Sequence, residues 1–414
     1  MRDLFSGFEP VDYDVVTEAV PDQVEQIFYD QKVCVVGKSF EVCLVNGIEV
    51  AGYRKDTYFG LSDKNCKIEP AETLEEDLAR RDLTINAMAF CPYTGELVDP
   101  YNGIPDLKNK IIRFVGNPAH RIYEDPCRIV RACRFLSKLD GTFASETLDA
   151  LRTYSYLVKD YVAPERLRAE ILKALRTKKA SIFFQALESI GALGYIFPSL
   201  AACHEDGGPY HAETIFEHCM LVGDGISTQC PLTKLAGYLH DIGKPSCRTE
   251  EGSFTGHEGV GSCLASTELF NLRFSTQEIE RITALIEFHM RDVKAAKGKG
   301  IRKALSKFKE RNLPYREWLR LKFADATGNL TKGSYSFAQK KDLVFKFEKE
   351  LLVEAPAFSV KDLAVSGHDV MEALGVDPGP EVGKTLRLLY ELVLDNPEMN
   401  RREDLISWLA HYKN

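Results

Sequence analysis

The sequence has no apolar run long enough to cross a bilayer, no leader pattern at its start, and no CxxC spacing among its eleven cysteines. These absences exclude a membrane-spanning helix and a disulfide scaffold, and predict a chain of the reducing cytoplasm whose thiols are free and buried. No internal repeat or low-complexity tract interrupts it. Positive charge is not in excess either: 53 Lys and Arg stand against 61 Asp and Glu, for a net charge of -8. Any RNA contact must therefore use local basic stretches within an acidic whole. One runs from Lys294 to Arg311, with Lys294, Lys297, Lys299, Arg302, Lys303, Lys307, Lys309 and Arg311 against Glu310 alone. The other is Arg166 to Lys179. On charge pattern alone, each is equally well a solvated helix face.

What is present is apolar content of 44% over 414 residues, enough for real cores in two to four domains. Alternating runs at Val33-Cys34-Val35-Val36, Val42-Cys43-Leu44-Val45 and Ile48-Glu49-Val50 predict a small sheet, with Asn46-Gly47 turning a tight hairpin. From Thr73 the spacing becomes helical, and only Glu96-Leu97-Val98 and Ile111-Ile112-Arg113-Phe114 still read as strand. Helix breaks are expected at Gly116-Asn117-Pro118, Gly207-Gly208-Pro209, Lys297-Gly298-Lys299-Gly300 and Pro378-Gly379-Pro380. The expected division is a head at 1–115, a helical neck at 116–206, a third segment at 207–350 and a helical tail at 351–414.

Three motifs carry chemistry in the first part. Asp12-Tyr13-Asp14, followed by Val15-Val16-Thr17, puts two carboxylates on one face of a strand, where they can share a divalent metal. Taken alone, the pair reads better as a solvent-facing strand edge. Arg80-Arg81-Asp82-Leu83-Thr84-Ile85-Asn86 places charges and an amide beside a small apolar helical face suited to a nucleotide, with Asp82 expected to cap the helix that Thr84 begins. Glu124-Asp125-Pro126 reads as a helix start, with Asp125 as cap. Behind it Arg128, Arg131 and Arg134 recur every three residues, an expected cationic face at a helix end that already attracts phosphate.

Together and in this order, these motifs strongly resemble the class II tRNA nucleotidyltransferases, comprising the CCA-adding enzymes and the bacterial poly(A) polymerases. Arg2-Asp3 with Gly7, Asp99 with Gly103 and Asp106-Leu107, and Glu165-Arg166-Leu167-Arg168 with Glu170 fit the same family. The resemblance implies a polymerase-β-like head in an α+β protein, tRNA, CTP and ATP as partners, and Mg²⁺ held by Asp12 and Asp14, with Glu49 as third catalytic carboxylate or an ordinary strand-edge charge. It implies that Arg81, Asp82 and Asn86 contact sugar and phosphates, and that Asp125 and Arg128 read the base edge that cytosine and adenine share. Arg2, Arg131 and Arg134 complete the implied nucleotide-binding set. The family opens with a strand ending in Gly-Gly, whereas this chain begins at Met1-Arg2-Asp3; an upstream start is the expectation. Arg54 to Leu74 corresponds to the family's flexible loop at full length, which favours complete CCA addition and is also compatible with A-only or poly(A) synthesis.

The second half resembles an HD-type phosphohydrolase. Its residues are His211-Ala212-Glu213, Phe216-Glu217-His218, His240-Asp241-Ile242-Gly243-Lys244-Pro245, Gly256-His257-Glu258, Glu287-Phe288-His289 and Ala324-Asp325. The resemblance implies His218, His240, Asp241 and Asp325 as ligands of a divalent metal, with His257 and His289 completing a second position. His204, His368 and His411 read as ordinary helix residues. Two readings stand beside the CCA-adding one: a poly(A) polymerase, and an HD hydrolase whose head only binds RNA.

Overall fold

The computed structural model describes residues 1–414 except 8, 11–12, 37–41, 62–65, 209–211, 250–251, 294–295, 297, 332, 353–358 and 413–414. The chain forms two compact units. One comprises Met1–Ala201 with Asn271–Arg273, the other Ala202–Phe270 with Phe274–Asn414. The protein is α+β, with its strands confined to the first unit among the described residues.

A four-stranded sheet begins the first unit, built from β1 (Asp14–Thr17), β2 (Val33–Val36), β3 (Val42–Val45) and β4 (Ile48–Gly52) in the order β1-β4-β3-β2. Asn46 and Gly47 both adopt positive φ, at 52° and 87°, which is the backbone a two-residue hairpin between β3 and β4 requires. Cys43, Val45 and Val50 point to one face and pack with Val24, so that face is the core side. β1 joins β4 in parallel with Asp14 opposite Glu49 and Val15 opposite Val50. Because Val50 faces the core, Asp14 and Glu49 share the opposite face.

The segment expected as a flexible loop is largely ordered as a ribbon. β5 (Arg54–Tyr58) and β6 (Cys66–Pro70) pair antiparallel, with Asp56 opposite Ile68. Cross-strand pairing satisfies the backbone groups there, and residues 62–65 lie outside the described set. The two later strand signals both appear, Leu97–Val98 against Ala89–Phe90 and Ile111–Ile112 against Thr142–Phe143.

The rest of the first unit is helical. Asn117 accepts the amides of Ala119 and His120, and Pro118 then starts the helix Pro118–Glu124. Next comes Cys127–Leu139, in which Ile129, Val130, Ala132 and Cys133 are wholly buried. It packs on Pro164–Ala174 and Ser181–Ser189. Full burial of residues such as Ile129 and Val130 stabilises by about 2 kcal/mol each.

In the second unit, Ile215–Asp224, Pro231–Leu239, Thr276–Phe288 and Tyr315–Gly328 form a bundle. Thr214 with Glu217 and Ser275 with Glu278 close reciprocal boxes at two of its helix starts. A Cβ at Gly223 would lie 2.2 Å from the Tyr238 ring, so this glycine sets how closely the first two helices approach. The break expected at 297–300 is overridden from 298 onward, because both of its glycines lie in the first turn of the helix Gly298–Glu310. A satellite core of Leu363, Val370, Leu389, Val393, Leu405 and Leu409 holds the tail.

No disulfide joins the cysteines, as expected, but burial is only partial: Cys34, Cys91 and Cys263 are exposed. Among the described residues no helix is long and apolar enough to cross a membrane.

Candidate nucleotide site and candidate metal centre

The sheet presents Asp14 and Glu49 as neighbours in register, both exposed on the face away from the core. Adjacent hard oxygens of this kind suit a divalent cation. Asp12, the other carboxylate of the motif, lies outside the described residues.

Asp82 does not cap a helix, contrary to expectation. Thr84–Asn86 is a single 3-10 turn whose N-cap is Leu83 and which has no side-chain cap. The Asp82 carboxylate instead accepts from the Leu83 amide at 2.8 Å, from the Asn86 amide at 2.9 Å, and from Arg131 at 2.8 and 2.7 Å. Burial alone would raise its pKa, but Arg131, Asn86 and the Leu83 N–H hold the carboxyl down at about 2. Arg2 donates to Asn86 and to Asp3, which also accepts from Lys138 at 2.8 Å. The motif rests on a built support. Asp99 accepts the amides of Gly103 and Ile104, and Thr84 donates to Asp106 at 2.7 Å. A Cβ at Gly103 would lie 2.3 Å from the Thr84 carbonyl, so only glycine permits this approach.

Arg128, Arg131 and Arg134 do not form one cationic face. Each step of three residues falls about 60° short of a full turn, so Arg128 turns away from Arg134, while Arg131 and Arg134 stay close enough to share Glu170. Arg128 is buried and donates to Glu124 at 2.5 Å and to the carbonyls of Arg121 and Arg80, both at 3.1 Å. Arg131 goes to Asp82, while Arg134 is buried against Glu170 and the Phe135 ring. Asp125 keeps its cap role through the Cys127 amide, and both of its oxygens accept from Arg166, at 2.9 and 2.6 Å.

Several partners escaped the sequence reading. Asp77 is fully buried and accepts from Arg80 at 2.7 Å and Arg81 at 3.1 Å, so it fixes both arginines of the motif. The signal was there, since three- and four-residue spacing on a helix puts such pairs in contact. Glu170 and the Arg166–Asp125 fork had no local signal, because they join segments more than 35 residues apart.

The first basic stretch is neutralised. Lys303 meets Glu391 at 2.7 Å, Lys307 meets Glu310 at 3.1 Å, Lys309 meets Asp362 at 2.9 Å and Arg311 meets Glu287 at 3.0 Å. Lys299 and Arg302 likewise pair with Asp395 and Glu350, whereas Lys294 and Lys297 lie outside the described residues. In the second stretch Lys179 pairs with Asp140 and Lys173 with Glu170.

The second unit gathers its imidazoles. His218 and Asp325 come from helix interiors, His240 and His289 from helix C-caps, and His257 from a helix start. His211 lies outside the described residues. Gly243 permits the gathering, because a Cβ there would sit 2.1 Å from the His257 carbonyl.

Asp241 sits at the centre. Its Oδ2 lies 3.3 Å from His240 Nε2 and 3.8 Å from His218 Nε2, and its Oδ1 lies 3.2 Å from His257 Nε2 and 3.5 Å from His289 Nε2. Asp325 Oδ1 adds contacts at 3.2 Å to His218 and 3.8 Å to His240. Lys244 Nζ is 2.6 Å from Asp241 Oδ2. Burial would raise the Asp241 pKa, but His240 and Lys244 hold it well below the usual carboxylate range. Burial lowers that of His240, while Asp325 outweighs burial and raises that of His218.

Each ring is oriented from behind. His240, His257 and His289 place Nδ1 at 2.9, 2.7 and 2.6 Å from the carbonyls of Gly237, Phe254 and Ile286. A carbonyl only accepts, so Nδ1 carries a proton and Nε2 is the atom turned to the cluster, where those of His257 and His289 lie 3.2 Å apart. His240 Nε2 is buried without a hydrogen bond. An orphaned buried acceptor among carboxylates, with tautomers fixed in this way, fits a divalent metal. Two ligand triads meet the distance requirement, His218 with His240 and Asp325, and His240 with Asp241 and His289.

Comparison with known proteins bears on both units. Residues 1–113 match the family described as the Poly A polymerase head domain, residues 142–203 the RNA and SrmB-binding site of polymerase A, and residues 262–409 tRNA nucleotidyltransferase domain 2. The A-adding tRNA nucleotidyltransferase of Deinococcus radiodurans is 33% identical over 94% of this chain and 89% of its own. The chain belongs to the tRNA nucleotidyltransferase family. The multifunctional CCA protein of Stenotrophomonas maltophilia is 39% identical over 57% of this chain, which spans 60% of that relative's length. In fold, this nucleotidyltransferase is similar to the Bacillus stearothermophilus CCA-adding enzyme solved with CTP, at a TM-score of 0.69 and 23% identity over 99% of this chain and 91% of that one. Nucleotidyltransferases of this fold use divalent metal ions, magnesium among them.

Proposed function

We propose that the chain adds C, C and A to tRNA 3′ ends from CTP and ATP, with Mg²⁺ held by Asp12 and Asp14, and Glu49 as the third catalytic carboxylate beside them. The observation that carries this is the register of Asp14 opposite Glu49 on the face away from the core, in a head matched to this family. When bound, the ion activates the terminal hydroxyl and offsets charge at the α-phosphate. Arg81, Asp82, Asn86, Arg2 and Arg131 grip sugar and phosphates. Asp125 accepts from the exocyclic amine of cytosine or adenine, and Arg128 donates to the ring acceptors. For the base to bind, Arg166 and Glu124 must release or share these two groups. Arg134 supports the site from behind through Glu170.

The test is incorporation of labelled CTP and ATP, against GTP and UTP, into tRNAs ending before CCA, after C and after CC. Growth that stops at CCA is the expected result. Addition of A alone, to the CC end only, would replace the proposal with the activity named for the Deinococcus relative, which spans most of this chain. Continued addition of A would instead mark a poly(A) polymerase.

For the second unit we propose a metal-dependent phosphohydrolase that clears 2′,3′-cyclic phosphates or 2′-phosphates from RNA ends. His218, His240, Asp241 and Asp325 hold one ion, and His257 and His289 with the second Asp241 oxygen hold another. A bound ion supplies activated water. The four-part division into head, neck, hydrolase segment and tail is part of the same proposal. Hydrolysis of a cyclic-phosphate RNA end by the whole chain with Mn²⁺ tests it; no hydrolysis with any divalent metal removes it.

A further inference from the structure

The two ion positions are not built alike. His257 and His289 are backed by neutral carbonyls, and the one carboxylate near the back of His257, Glu258, lies 3.7 Å from Nδ1 and is half-exposed. His218 is different. Its Nδ1 lies 3.2 Å from Glu213 Oε1 and 3.3 Å from the Gly328 carbonyl, and Glu213 is itself buried. A carboxylate behind an imidazole makes the ring a stronger donor on its far side, and losing such a partner typically weakens metal binding about 10- to 100-fold.

Resting on the metal-centre reading above, we propose that Glu213 is a positioning residue that makes the ion position of His218, His240 and Asp325 the tighter of the two. The triads are alike in count, His218, His240 and Asp325 against His240, Asp241 and His289, each with one carboxylate beside two imidazoles. Lys244 lies 2.6 Å from Asp241 Oδ2 and draws on the carboxylate of the second triad, which leaves the first the better supplied. One ion is therefore resident, and the second is exchangeable at the His257–His289 position.

The experiment is Mn²⁺ titration of the whole metal-stripped chain carrying Asp14→Ala to silence the ion position of the head, followed by calorimetry and by the electron paramagnetic resonance of free Mn²⁺. Two classes of site are expected. Glu213→Gln, which keeps shape and an acceptor oxygen, should weaken the tight class about 10- to 100-fold and leave the weak class unchanged. Glu213→Asp should recover part of the affinity, and His289→Ala should delete only the weak class. Circular dichroism melting separates misfolding from lost affinity. Two equal classes, or a Glu213→Gln variant that folds and keeps the tight class, would overturn the role of Glu213 and spare the metal centre. Absence of any bound Mn²⁺ would overturn both.

Discussion

In the first unit, the charged groups around the nucleotide motifs answer one another. Arg131 meets Asp82, Arg128 meets Glu124, Arg166 meets Asp125 and Asp77 holds Arg80 and Arg81. In the second, four rings and two carboxylates converge, and a buried nitrogen has no hydrogen bond. The named pairs of the first arrangement are satisfied without a ligand, so ligand binding there must exchange one ion pair for another. The second leaves the His240 Nε2 nitrogen buried without a hydrogen bond, a cost that a bound cation or a proton would remove. Selectivity suits the exchange, because a wrong base leaves Asp125 or Arg128 unpaired, while affinity suits the standing deficit.

The contrast can be broken from either side. The largest expected effect is Asp14→Ala, which should lower nucleotide incorporation about 10³-fold or more, a loss of roughly 4 kcal/mol of barrier stabilisation, while hydrolysis of cyclic-phosphate ends is unchanged. Primer extension and phosphodiesterase assays on one preparation check it. Asp241→Ala should do the reverse, abolishing metal binding and hydrolysis while CTP and ATP are still incorporated. Loss of both activities in either variant would end the division of labour.

Asp125→Ala should relax discrimination of CTP and ATP against UTP and GTP by about tenfold in kcat/KM, since one two-pronged contact to a base edge is worth about 1–3 kcal/mol. Next comes pH. The Asp82 carboxyl, held at about 2, contributes stability that is complete above its unfolded value near 4 and fades as pH falls toward 2, amounting to about 2 kcal/mol. Thermal melting of wild type and Asp82→Asn between pH 5 and 2 should show the wild type losing its advantage as acid is added. The smallest effect is expected for Lys303→Ala, because its partner Glu391 is exposed and such pairs contribute at most about 1 kcal/mol. A fall in tRNA affinity beyond about twofold in this variant would restore RNA contact to that helix.

How much of this was legible in the sequence depended on range. The Asn46-Gly47 hairpin, the break at Gly116-Asn117-Pro118, the Asp125 cap and the late strands follow from a few neighbouring residues, and all appear. The residues proposed as ligands, which the structure brings together, were named from ordered motifs, since His240-Asp241 with Gly243 carries its own chemistry. What failed needed geometry. The arginine triplet looked like one face because the drift of a three-residue step was ignored, and the 294–311 stretch looked free because its acidic partners lie elsewhere in the chain, as Asp362 and Glu391 show. The Arg54–Leu74 segment read as loop because its ribbon pairs polar residues such as Lys55 and Glu69, which leave no apolar alternation to see.

The ring nitrogens of His240, His257 and His289 each bond to the carbonyl three residues earlier. These bonds are local and sheltered from solvent, so their protons should exchange slowly with water and give separate lines far downfield in a proton spectrum. The centre therefore carries its own reporters. A paramagnetic ion entering one position would broaden the lines nearest to it first, which would make the order of filling visible without any substitution.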